Sequence, residues 1–429
     1  MKEKIVIKNF SVIDDVEIDI KKINLLIGPQ ASGKSVIARL VYFFKTIKQR
    51  MYTTITLGEG KPGLEKRIRS IFNGIFPDYF LKEKSYELKY YYDDQFMTIT
   101  NEKEKSYESI KISYSDSIYK QFNNLRRYYK KESEIEKLNR SGSIQHLLNS
   151  ISGRLDQFFC GTSPYILVFI PAMRSFFANI ERNIFSLLTQ STFIDYMLTE
   201  FGSFYEKIKE MSLSINSGKN VNNELYGMCS EVLRGEYQYR NKVEWIKEGG
   251  DKLIFLRHSS SGQQEVAPLI VSLMVLSGLP VSHFYMFIEE PEAHLFPESQ
   301  RNIVEIIAMV YNLLNRNSGF FITTHSPYIL TSFNNLIQAD NTCLEIKEQF
   351  NKGKIDQKVR DDRLKRLDKI IKPTRRISFD DAAVYVIKDG QCKDIRNNQN
   401  KLIDENVIDE ASGRIDSVFD QLIDIIPGD

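Results

Sequence analysis

The 429-residue sequence predicts an α/β fold: a mixed sheet flanked by helices, interrupted by a mainly helical arm or lid that carries a small β meander. Two observations predict the sheet. At the N-terminus, IVIKNF and VEIDI alternate like short strands and INLLI reads as a buried one, followed by a glycine-rich loop and an apolar helix pattern. Further on, the buried runs YMFI and GFFITT each end in polar residues and lead into helical periodicity. A third observation predicts the insertion: residues 85–116 read as a meander of short strands. Two helical stretches follow, at about 117–150 and 176–215, each about 50 Å long if unbroken. Neither holds a sustained heptad, so a long coiled-coil arm is not expected.

Composition narrows the classes. Apolar residues make up 42% and aromatics 12% of the chain, enough for a real core, which excludes a disordered protein. The net charge is only +2, so a nucleic-acid surface would have to be a local patch. Cys160, Cys229, Cys343 and Cys392 lie far apart and form no CxxC pair, which argues against a zinc site or a disulfide framework. A charged segment and then a strand pattern follow Met1, unlike a signal peptide. The longest apolar stretch, residues 266–281, is too short to span a bilayer and breaks at Gly278 and Pro280. The expectation is a soluble cytoplasmic protein with no membrane partner.

The loop after INLLI carries the first chemistry. Gly28, Pro29, Gln30, Ala31, Ser32, Gly33, Lys34 and Ser35 fit G-x-x-x-x-G-K-[ST], with Val36 opening the apolar helix. Glycines let backbone N–H groups curl around phosphate oxygens, and the helix N-terminus adds partial positive charge. Lys34 would reach the β- and γ-phosphates, and the Ser35 hydroxyl would ligate Mg²⁺. The loop implies a nucleoside triphosphate. The run HFYMFIEEPEAHL then supplies a buried strand ending in two carboxylates. Glu289 is placed to hold Mg²⁺ and its waters, and Glu290 to polarise the attacking water. GFFITTHSP ends a second buried strand at His325, whose neutral imidazole can bond a γ-phosphate oxygen. In RHSSSGQQE, Ser261, Gly262, Gln263 and Gln264 open a long apolar helix, either as an anion-binding end or as an ordinary cap.

These four segments in this order, GPQASGKS, SSGQQE, FIEEPEAHL and TTHSPY, resemble the ABC-type ATPase heads of the SMC, RecF and OLD group. The resemblance covers roughly 1–50 and 255–345, and extends to a strand pair near 377–396. It implies a P-loop ABC-type head, ATP and Mg²⁺ as ligands, and head-to-tail pairing into a homodimer or higher homo-oligomer. Ser261, Gly262, Gln263 and Gln264 would form a signature loop closing over ATP held by the other subunit. Gln263 departs from the second signature glycine, and Glu289 from the usual aspartate. The stretch ILVFIPAMRS resembles the OLD-like IPAxR segment and makes Arg174 a nucleotide-site candidate, while His294 falls where that family crosses between heads. OLD nucleases add a TOPRIM domain, for which little chain remains after residue 400. The sequence therefore resembles stand-alone ATPase subunits of bacterial anti-phage systems such as Septu, PARIS and retron-linked modules, which serve a separately encoded effector, commonly a nuclease.

The resulting division is 1–50 and 255–345 as the two lobes of the head, 51–254 as the insertion, and 346–429 as a basic helix, closing strands and an acidic tail. Residues 120–131 interleave basic side chains with tyrosines, either as a solvated helix face or as a contact for nucleic acid or protein. Residues 358–376 hold nine basic and three acidic side chains and read as an exposed helix facing DNA or an acidic protein. The rival reading is a RecF/SMC-like DNA-repair or DNA-structure-binding ATPase, in which ATP only drives dimerisation. A transporter ATPase is disfavoured, because no coupling Q-loop is evident.

Overall fold

A computed structural model describes residues 2–77, 85–101, 110–139, 144–159, 166–179, 195–215, 222–279, 284–314 and 318–404. The chain opens with strands β1 (Glu3–Phe10), β2 (Ile13–Ile20) and β3 (Ile23–Ile27), then helices α1 (Lys34–Lys45), α2 (Ile47–Thr56) and α3 (Lys61–Ile75). The meander follows as β4 (Glu87–Tyr92), β5 (Gln95–Thr100) and β6 (Lys111–Tyr114), with 102–109 outside the described residues. Next come α4 (Asp116–Asn139), α5 (Ile144–Phe158), β7 (Ile166–Ile170), α6 (Tyr196–Ile215) and α7 (Asn223–Leu233). A small antiparallel sheet of β8 (Glu236–Arg240), β9 (Val243–Lys247) and β10 (Leu253–Phe255) leads into α8 (Ser261–Gly278). The chain continues through β11 (Phe284–Glu289), α9 (Pro297–Leu313), β12 (Gly319–Thr324), α10 (Pro327–Asn351), α11 (Gln357–Ile370), β13 (Ala382–Lys388) and β14 (Gln391–Asp394) to a two-stranded ladder of β15 (Arg396–Asn397) and β16 (Leu402–Ile403).

Among the described residues one mixed sheet runs β6-β5-β4-β1-β2-β14-β13-β3-β12-β11-β7. Its β13-β3-β12-β11-β7 half is parallel, and β2-β1-β4-β5-β6 is antiparallel. Both ends of this sheet come from the 51–254 stretch: the meander continues it beyond β1, and β7 continues it beyond β11. The fold is thus a mixed α/β layer structure with a large sheet flanked by helices.

Period-two alternation decides which helix covers which face. On one face Leu26, Phe287, Phe321 and Ile387 pack with Ile37, Val41 and Phe44 of α1. On the other, Leu25, Ile288, Ile322 and Val384 pack with Ile270, Leu273 and Met274 of α8 and with Ile307 of α9. The loop helix α1 and the helix opened by Ser261 therefore lie on opposite faces. Phe287 stacks on both Phe169 and Phe321, which joins three parallel strands on the α1 side. Truncating such a fully buried ring to alanine costs roughly 3–5 kcal/mol.

Two expectations change. The helical stretches are shorter than about 50 Å. At 1.5 Å per residue, α4 with its 24 residues spans about 36 Å and α6 with 20 about 30 Å. The first stretch divides into α4 and α5, while 180–194 of the second lie outside the described residues. The basic segment is exposed only in part. Arg375 bonds Glu305 at 2.6 Å and Glu224 at 2.5 Å, and buried Arg376 pairs with Asp368, so these two arginines fasten the tail. The acidic segment beyond Asp404, and Cys160, fall outside the described residues. Among the described residues no helix is long and apolar enough to cross a membrane.

Candidate active site

The parallel strands end together. Ile27 of β3 pairs with Thr324 of β12, and Thr323 with Glu289 of β11, so the residues after each strand emerge side by side. Carboxyl ends of adjacent parallel strands are where open α/β sheets bind ligands. Gly28 begins the loop in a space that admits no side chain, since a Cβ there would lie 2.1 Å from the Ile387 carbonyl oxygen. Pro29, Gln30 and Ala31 are exposed at the loop crest, Ser32 is half-buried, and Val36 is buried in the first turn of α1. Gly33 caps α1 with φ 98°, a left-handed conformation that favours glycine.

Lys34 is buried and lies inside the loop. Its Nζ donates to the carbonyls of Gly28 (2.8 Å) and Pro29 (2.6 Å) and lies 3.3 Å from Nδ1 of His325. Burial draws its pKa down to about 8, against the opposing pull of Glu290 and Glu292. An ammonium has no acceptor, so Nδ1 must accept and the ring proton sits on Nε2. Nε2 lies 3.2 Å from Glu290 Oε1, so His325 bridges the loop lysine to the second carboxylate. Glu292 holds the bridge in place, its Oε1 accepting from the His325 N–H and the Thr324 hydroxyl, both at 2.7 Å.

Glu289 is buried and Glu290 half-buried. Burial pushes the Glu289 carboxyl upward. Arg39, the Ser35 hydroxyl and the Ala172 N–H pull the other way without cancelling it. Glu289 Oε2 accepts from the Ala172 N–H at 3.3 Å, while Oε1 is buried without a hydrogen-bond partner among the described residues. A buried, unpartnered carboxylate oxygen near an exposed serine hydroxyl is a donor set that fits a small hard cation. Among the described residues no cluster of three or more His, Cys, Asp or Glu could hold a metal alone. Ser35 and Glu289 would therefore need phosphate oxygens and water to complete a Mg²⁺ shell.

The helix-start residues divide. Ser260, not Ser261, caps α8, in a reciprocal box with Gln263. The Gln263 carbonyl is taken by Ser260 and its amide by the Leu233 carbonyl at 2.9 Å, while Gln264 bonds the Arg257 and Ser259 carbonyls. These two glutamines, expected at the nucleotide, here bond the loop's backbone, the Leu233 carbonyl and the Asn179 side chain. Ser261 is exposed and Gly262 half-buried in the first turn. Arg174 is likewise not open to a ligand. Its guanidinium is buried and committed to the carbonyls of Pro171, Glu265, Glu289 and Glu290, so it braces the site from within. His294 is exposed, at φ 59°. Sequence reasoning missed Glu292 and Glu265. Glu265 had a visible signal, a lone carboxylate at the head of an otherwise apolar helix.

Solved structures similar to this chain include three SMC heads. One is an SMC head bound to the C-winged helix domain of ScpA (13% identity, 92% of this chain and 96% of that chain, TM-score 0.40). A second is the SMC head domain from Thermotoga maritima (12%, 77% and 91%, 0.33). The third, from Pyrococcus furiosus, carries an extended coiled coil and is bound to the C-terminal domain of ScpA (12%, 96% and 99%, 0.38). No curated protein sequence matches. Residues 1–330 match the family described as AAA ATPase domain, spanning the loop, both carboxylates and His325, and the chain belongs to that family.

Proposed function

We propose that this ATPase binds ATP with Mg²⁺ at residues 28–36 and hydrolyses it in a head-to-tail homodimer or higher homo-oligomer. Its cycle gates a separately encoded effector, a nuclease, in bacterial anti-phage defence. In this reading 1–50 and 255–345 are the two lobes of the head, 51–254 the insertion, whose meander and β7 extend the head's sheet, and 346–429 the basic helix, closing strands and acidic segment.

The observation that carries the hydrolytic reading is the chain from Lys34 through His325 to Glu290, beside the unpartnered oxygen of Glu289. Lys34 supplies positive charge to the phosphates. Ser35 and Glu289 would hold Mg²⁺, whose charge neutralises phosphate oxygens. Glu290 accepts the proton of the attacking water, and His325, its Nε2 proton aimed at Glu290 Oε1, keeps that carboxylate oriented. Two observations support a shared site. Helix α8 lies on the face opposite α1, and among the described residues no hydrogen bond or ion pair joins 259–264 to 28–35.

Native purification tests the effector. A co-purifying nuclease whose activity changes between ATP and a non-hydrolysable analogue supports the reading. A chain that hydrolyses ATP but brings no nuclease sinks the effector half and leaves the ATPase. The DNA-binding reading rests on α11, where Lys358, Arg363, Lys365, Arg366 and Lys369 are exposed. Reversing Arg363, Arg366 and Lys369 together should then weaken DNA binding and flatten its salt slope. Unchanged affinity makes α11 a solvated helix.

A further inference from the structure

One buried guanidinium locks the start of α8 to the end of β11. Arg174 is fully buried in the turn after β7. Its Nε donates to the Glu265 carbonyl at 2.9 Å, Nη1 to the Glu289 carbonyl at 2.6 Å, and Nη2 to the Glu290 carbonyl at 3.0 Å. The Glu265 carboxylate, also buried, accepts from the N–H groups of Arg174 (2.9 Å) and Ser175 (2.8 Å) and lies 3.4 Å from Nη2. Burial alone would push Glu265 toward its neutral acid, but Arg174 and these N–H groups outweigh it and hold the carboxyl below its usual range. A second contact joins the same two segments. Gly262 faces the His294 carbonyl so closely that a Cβ would lie 2.9 Å from the oxygen.

We propose that Arg174 and Glu265 are a positioning pair through which the two nucleotide sites of a dimer close and fire together. The proposal rests on the head-to-tail reading above. In such a dimer the Ser261–Gly262 turn of one chain serves the partner's nucleotide, whereas Glu289 and Glu290 serve the chain's own. A shift at the start of α8 therefore reaches the chain's own base through the guanidinium. Glu290 is sensitive to such a shift because its backbone sits at φ 44°, which a glutamate keeps only when its surroundings impose it. Its N–H bond to the Thr323 carbonyl (2.9 Å) and its carbonyl bond from Arg174 impose it. Contact alone does not establish coupling, so the test must measure coupling directly.

Differently tagged Lys34→Ala and Ser261→Arg chains, purified as mixed dimers, contain one site with both lesions and one with neither. Coupled sites leave these dimers below about a tenth of the wild-type rate, whereas independent sites give up to about half. Adding Glu265→Gln to both chains, which keeps the Arg174 bonds to the Glu289 and Glu290 carbonyls, should release the intact site and restore activity toward half the rate of the otherwise wild-type Glu265→Gln dimer. Circular dichroism and an ATP affinity within about twofold of wild type check each variant's fold. A wild-type rate per chain that is independent of protein concentration overturns the assembly, and the proposal with it. With the dimer established, mixed dimers at half rate without any change to the pair overturn the coupling alone. Mixed dimers that stay silent while the otherwise wild-type Glu265→Gln dimer hydrolyses ATP overturn the assignment to this pair.

Discussion

Nζ of Lys34 and Nδ1 of His325 lie 3.3 Å apart, and the opposite ring nitrogen lies 3.2 Å from Glu290. A phosphate-loop lysine and a carboxylate from the turn after β11 are thereby joined through a single imidazole. Changing His325 to glutamine tests what the bridge does. Glutamine can satisfy one side but cannot span both, so Glu290 loses its orienting donor while the loop keeps its lysine. Turnover should fall about 100-fold with ATP affinity within a fewfold, the size of effect expected for a disturbed general base. Single-turnover hydrolysis beside equilibrium ATP binding separates the two quantities. Loss of affinity at normal turnover would instead assign His325 to binding.

Lys34→Ala and Glu290→Gln should fail in opposite ways. The first removes the buried cation from the loop, and ATP binding should drop by about 100-fold or more. The second leaves Ser35 and Glu289 in place but removes a proton acceptor, so ATP should bind normally and persist unhydrolysed. Sedimentation with ATP should then find Glu290→Gln as a trapped dimer. Normal hydrolysis by Glu290→Gln would mean that another group is the base.

Nucleotide binding should depend on pH through Lys34. In the free protein, burial draws this ammonium down to about 8. Bound phosphates raise it again, so the bound form holds more protons at high pH. Below about pH 8 the group is already charged and binding takes up no proton. Above it, binding must recharge the lysine, and affinity falls by up to about tenfold per pH unit. Calorimetry in two buffers of different ionisation enthalpy reads this directly. Uptake near zero at about pH 7 and above half a proton at about pH 8.5 is expected. Equal uptake at both would remove Lys34 from the linkage.

What the sequence disclosed follows from how local each device is. Gly28 to Ser35 could be read because the turn, the helix start and the phosphate chemistry fall within eight consecutive residues. Glu289 was legible because a buried strand ending in two acids is a poor surface pattern. The bonds of Arg174 were not legible because its partners come from residues 171, 265, 289 and 290, a convergence that exists only after folding. Gln263 is a different case. Ser260 and Gln263 spell a capping box three residues apart, and that local signal was outweighed by the motif read over it. The meander at 85–116 was visible as strands, but its place beyond β1, and that of Ile166–Ile170 beyond β11, depends on pairing partners far away in the chain.

Ser261 offers the sharpest test because it ties chemistry to assembly. It is exposed in the first turn of α8, on the face of the sheet away from α1, so an arginine there should not disturb the core. If the turn serves only a partner's nucleotide, Ser261→Arg places bulk and a cation at the closure point while leaving its own loop intact. ATP affinity of the isolated chain should stay within about twofold of wild type, and hydrolysis should fall by about 100-fold, because closure rather than binding is blocked. Introduced into Glu290→Gln protein, the same change should abolish the ATP-trapped dimer seen by sedimentation. A chain that hydrolyses ATP at full rate as a monomer, with Ser261→Arg silent, would rule out a site shared between subunits. It would leave Lys34, His325 and Glu290 as a self-contained hydrolytic centre.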